Sequence, residues 1–148
     1  MKSLVEQTKA LMEALELHYD WDEEDKVFRL DFNTENTKVF VTIECLEDKG
    51  ILINHGWLPI NLPKEKKTAI LYAINKIHDQ WSTQAHLYLD EDDNNLIARC
   101  MLPLPEMGLD GVGEDGFARF VASTCNILDD HFKTIMEVAY GQDMSLAN

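Results

Sequence analysis

The chain has 148 residues, 45% hydrophobic and 27% charged, with 13 basic against 27 acidic side chains and a formal net charge of -14. That length fits one domain burying roughly 70% of its unfolded surface, and the composition is that of a folded protein rather than a disordered one. So acidic a surface repels phosphate backbones, which sets aside DNA and RNA as partners and suits plain solubility or a basic partner.

Ser3 and Glu6 stand at capping-box spacing, each able to satisfy the other's free backbone N–H at a helix start. Leu4, Thr8, Leu11, Met12, Leu15 and Tyr19 follow at helical spacing, predicting an amphipathic helix that ends near Leu17. Asp20, Asp22, Glu23, Glu24 and Asp25, around Trp21, repel one another and predict a solvated loop. A calcium loop fails there, because Asp25 and Asp31 occupy the positions an EF-hand gives to glycine and to a bidentate Glu.

From Lys26 the period becomes two. Phe28, Leu30 and Phe32 alternate with Val27, Arg29 and Asp31, and N-T-E-N turns the chain. Val39, Val41, Ile43 and Cys45 alternate with Lys38, Phe40, Thr42 and Glu44, and E-D-K-G turns it again. Ile51 and Ile53 continue a third run that fades into G-W-L-P, so three antiparallel strands with short loops are predicted. Pro59 and Pro63 end this segment, and Pro63 suits a helix start, where its missing N–H costs nothing. The helix from Thr68 is expected to bury Ile70, Ile74, Ile77 and Trp81, with Leu71 and Ala73 widening the stripe.

A hairpin follows. Leu87 and Leu89 alternate with His86 and Tyr88, D-E-D-D-N-N turns the chain, and Leu96, Ala98, Cys100 and Leu102 alternate with Ile97, Arg99 and Met101. Its second strand is apolar on both faces, so Ile97 and Met101 call for a cover. The segment L-P-L-P-E-M-G-L-D-G-V-G-E-D-G reads as a loop. Phe117, Phe120, Val121, Cys125, Leu128, Phe132 and Ile135 then make the longest stripe, predicting one helix to about Tyr140 with Gly141 as its cap. The prediction is one α+β domain over 1–141, with a frayed tail at 142–148. It is an antiparallel sheet of about five strands packed with three helices, in the order α-β-β-β-α-β-β-α.

Several chemistries can be weighed against this frame. Cys45, Cys100 and Cys125 are odd in number and widely spaced, which argues against a disulfide framework and a zinc cluster, and all three fall on apolar faces where thiols are inert. No run reaches the ~18 apolar residues of a membrane span, so a cytoplasmic protein with reduced thiols is expected. His86, Tyr88 and Asp90 share a strand face, but no second imidazole stands at ligand spacing. The Asp90–Asn95 turn has EF-hand-like oxygens, yet Asn95 and Met101 replace the glycine and the Glu. Gly108, Gly111, Gly113 and Gly116 precede a helix, but Glu114 and Asp115 would oppose a phosphate there. What remains is apolar surface: Phe40, Trp57, Tyr88, Ile97 and Met101 lie opposite the main alternation, as residues awaiting a second layer or a partner do.

The helix carrying Asn75, the hairpin with its acidic turn and the long closing helix resemble the YbjN-like family, whose members share the fold of type III secretion chaperones. Helices of that family tend to carry an N-x-x-N pair; here Asn75 is followed at that spacing by His78. The resemblance implies a small, acidic, dimer-prone protein without catalysis, binding a protein partner or acting in regulation. Chaperones of this fold hold an extended effector segment on apolar patches, often by adding a strand to a sheet edge. The expectation is therefore a non-catalytic homodimer that binds a protein segment, needs no cofactor, and takes neither nucleic acid nor membrane as partner. The alternative is a small-molecule or metal-binding regulator using His78, His86 and Asp90, with a hydrolase or transferase a distant third.

Overall fold

In a computed structural model, which describes residues 2–141, six strands form one antiparallel sheet. They are β1 (Asp20–Asp22), β2 (Val27–Asn33), β3 (Lys38–Leu46), β4 (Ile51–Trp57), β5 (His86–Leu89) and β6 (Leu96–Pro103), in the spatial order β1-β2-β3-β4-β6-β5. The helices are α1 (Leu4–Ala14), α2 (Lys67–Gln80), α3 (Gly113–Asp130) and α4 (Phe132–Met136), the last running into a π turn at Glu137–Gly141. The α+β class matches expectation, with one strand and one helix more than predicted. The tail expected to fray, 142–148, lies outside the described residues.

The capping box forms: Ser3 Oγ accepts from the Glu6 N–H at 3.1 Å, and Glu6 Oε2 accepts from the Ser3 N–H at 3.3 Å. The helix stops at Ala14 rather than near Leu17, because Glu16 turns left-handed (φ 56°) and the Leu17 N–H reaches back to the Met12 carbonyl at 2.9 Å. The acidic run is not simply a loop, since Asp20–Asp22 pairs with Val27–Arg29 as β1. Its repulsion is offset from across the turn, where Arg29 bridges Asp22 at 3.0 Å and Asp25 at 2.8 Å, while Trp21 packs on Phe28 at 4.7 Å.

One sheet face is the core. Phe28, Leu30, Val39, Val41, Ile43, Leu52, Ala98 and Cys100 are buried on it beneath Phe117, Phe120, Val121, Cys125 and Leu128 of α3. Two residues of β4 seat that helix. Gly56 gives it room, since a Cβ there would stand 2.7 Å from Thr124 Oγ1. Asn54, fully buried, donates to the Phe120 and Val121 carbonyls at 2.9 and 3.2 Å and accepts from Thr124 Oγ1 at 3.0 Å.

Two expectations for the helices need correction. Trp81 and Leu71 are not core: α2 ends at Gln80, Trp81 is already extended, and the two side chains are 59% and 43% exposed. The closing helix breaks at His131 instead of running unbroken to Tyr140. At the break His131 leaves helical geometry (φ -108°, ψ 7°), and beside it Asn36 holds the Asp129 carboxylate at 2.8 Å through its N–H and the Asp129 carbonyl at 3.3 Å through its amide. The stripe nonetheless continues through buried Ile135 and Ala139. Gly141 ends the described chain within the π turn.

Candidate functional site: the open face of the sheet

The second face of the sheet carries no helix among the described residues, and its side chains are half-buried or exposed while their neighbours on the core face are buried. Strand register arranges them in rows. Phe40 stands beside Trp57, Trp57 beside Ile97, and Ile97 beside Tyr88, so four of the five predicted interface residues form one apolar row across β3, β4, β6 and β5. Phe40 and Trp57 rings lie 6.1 Å apart. The fifth, Met101, is 50% exposed and stands beside Ile53, which stands beside Glu44.

Between those rows runs a polar one that the sequence reading did not assemble. Arg29, Thr42, His55, Arg99 and His86 are neighbours in turn across β2, β3, β4, β6 and β5. The Arg99 guanidinium lies 4.9 Å from the centre of the Tyr88 ring, and its Nη2 stands 3.4 Å from His86 Nε2. A guanidinium only donates, so that ring nitrogen accepts. Burial, and then Arg99, hold both His55 and His86 below the ordinary imidazole range; Glu44 pulls His55 the other way, and His78 adds to the lowering at His86.

The other candidates serve the fold. His78 Nε2 accepts from the Leu87 N–H at 2.9 Å and so fixes the start of β5 to α2, whereas Asn75 is exposed. Asp90 Oδ1 accepts from the backbone of Asp92 at 2.9 Å and Asp93 at 3.4 Å, tying the hairpin turn. Asn94, left-handed (φ 58°) and buried, fastens the tip to the Leu62 and Pro63 carbonyls. His78, His86 and Asp90 therefore do not converge, and no trio of metal-ligating side chains occurs among the described residues. Burial pushes the Cys45 and Cys125 thiols up to about 11 and raises that of Cys100. No described helix is long and apolar enough to cross a membrane. A separate groove of about 1360 Å³ lies between α2 and the chain after α3, bordered by Tyr72, Trp81, His131 and Val138, with Tyr72 73% exposed.

With its antiparallel sheet, its helices on one face and the order α-β-β-β-β-α-β-β-α-α, the chain has a YbjN-like, type III secretion chaperone-like fold. YbjN from E. coli matches at 13% identity over 98% of this chain and 94% of that one, with a TM-score of 0.58. A chain of the ExsC–ExsE complex matches at 13% identity over 90% and 97%, with a TM-score of 0.62. The HopA1–SchA chaperone–effector complex matches at 15% identity over 82% and 86%, with a TM-score of 0.52. At such identities the likeness is one of fold. No family model and no curated protein matches the chain.

Proposed function

We propose that the protein is a non-catalytic protein-binding module, chaperone-like or regulatory, that acts as a cytoplasmic homodimer and holds an extended protein segment on the open face of its sheet. The observation that carries this reading is the continuous apolar row Phe40, Trp57, Ile97 and Tyr88, with Met101 and Ile53 alongside, on a face that no described helix covers. Apolar side chains so arranged are worth burying, at about 25 cal/mol for each Å² removed from water.

The face serves better than an edge. The outermost strands, β1 and β5, have 3 and 4 residues, so strand addition there gains few backbone hydrogen bonds. Two of the structures that share the fold are complexes with protein partners, which supports a binding role. The exposed Tyr72 and Trp81 beside the α2 groove supply a second apolar surface for self-association.

Light scattering is expected to give twice the 17.0 kDa chain mass. Affinity capture with mass spectrometry is expected to retain a protein that Met101→Glu releases and Met107→Glu, in a loop off the sheet, does not. A strict monomer that retains no such protein would overturn the reading.

A further inference from the structure

Arg99 is anomalous in so acidic a protein. Among 27 acidic side chains none of the described ones forms an ion pair with it, whereas Arg29, at the far end of the same row, is bridged twice. Its Nε is buried and has no hydrogen-bond partner among the described residues. That Nε is closed to any ligand from solvent, so a carboxylate, the acceptor that fits a planar guanidinium fork, meets the terminal nitrogens of Arg99 instead. Of the imidazoles flanking it, His55 and His86, the latter accepts from Arg99 at Nε2 and so carries its own proton on Nδ1, a further donor.

The apolar groups lie two residues to either side of this row on the same strands. On β6 they are Ile97 and Met101, and on β4 they are Trp57 and Ile53. Two residues of extended chain span about 7 Å. A segment lying along these strands with an acidic residue over Arg99 therefore sets its residues two before and two after over apolar side chains. A second copy fits poorly, because a two-fold pairing centred on this row brings Arg99 and the histidines against their own counterparts.

We propose that Arg99, between His55 and His86, is a recognition site for an Asp or Glu side chain of a bound extended segment, flanked at two residues on either side by apolar side chains. The site rests on the protein-binding reading and gives its partner a pattern: apolar, any, acidic, any, apolar. The ligand is thus an acidic position within an apolar peptide, not the basic partner that the net charge alone suggests. The focused cation overcomes the overall repulsion because it acts at contact distance, whereas the dispersed acids act through salt and water.

The test pans a phage-displayed library of random linear peptides on the whole chain, then measures one selected peptide and its acidic-to-amide analogue by fluorescence anisotropy. Selected peptides are expected to carry the pattern and to bind about tenfold more weakly to Arg99→Gln, the scale of one charge-assisted hydrogen bond. The analogue should lose affinity for wild type but little more for Arg99→Gln, a coupling that misfolding of the variant would not produce. Peptides released by Met101→Glu but lacking an acidic preference, or an additive cycle, would overturn the carboxylate site and leave the open-face reading standing. Failure to select any Met101→Glu-sensitive peptide would overturn that broader reading and the site with it. A dimer that Met101→Glu splits would assign the face to a second copy and overturn both.

Discussion

Asn54 is the polar group on which the closing helix is seated, and its three bonds make it sensitive to small changes nearby. Thr124→Val keeps the volume but leaves Asn54 Oδ1 buried without its donor, and should cost about 1–3 kcal/mol by urea denaturation. Gly56→Ala places a methyl against Thr124 and should cost a similar ~1–3 kcal/mol through overpacking. Histidines set the pH response. Burial lowers the folded pKa of His55, His86 and His131 below the ordinary value of about 6.5, so as pH falls through that value the unfolded chain binds more protons. Their contribution to stability is full at neutral pH and is lost on acidification. His55→Gln should therefore flatten the fall in stability between about pH 7 and pH 5 relative to wild type, measured by urea midpoint. An unchanged slope would show that His55 titrates as it does in the unfolded chain.

At the scale of elements, alternation and the 3.6-residue period located most buried stripes, but β4 reads out of phase: Ile51 and Ile53 are its apparent stripe, whereas Leu52, Asn54 and Gly56 are the buried positions, two of them too small or polar to leave an apolar mark. Local patterns failed where the cause lay elsewhere in the chain. β1 escaped because the carboxylates were weighed against one another, while the cation that pairs Asp22 is Arg29 on the next strand. Trp81 continues the α2 period in sequence, yet it lies one residue past the helix, where the backbone is already extended. Beside the break at His131, Asp129 is held by Asn36, more than ninety positions away and invisible to a local pattern. α2 and β5 are joined by His78 rather than by the Asn75 that marks the family resemblance. His78→Ala should remove the acceptor of the Leu87 N–H, costing about 1 kcal/mol, and speed hydrogen exchange at that amide before others in β5.

For the molecule as a whole, the five apolar interface candidates are legible in the sequence but their geometry is not. Alternation told which side β3, β5 and β6 turned them to; that four stand in one row depends on β6 pairing with β4, across an intervening helix and strand. Arg99 and His55 were missed for the same reason, being unremarkable in their own strands and a cluster only in register. A usable signal was present: Arg99 lies between Ile97 and Met101 on a face already marked as apolar.

The strand order also bears on synthesis. β1 to β4 pair with one another in sequence order and can assemble as they leave the ribosome, but β6, the other partner of β4, comes later, and the cover of their core face, Phe117–Leu128, later still. Until then the nascent sheet presents apolar surface on both sides. A chain paused before Thr124 is thus at its most dependent on cellular holdases, and slow codons just upstream of that point should lower soluble yield more than slow codons placed after it.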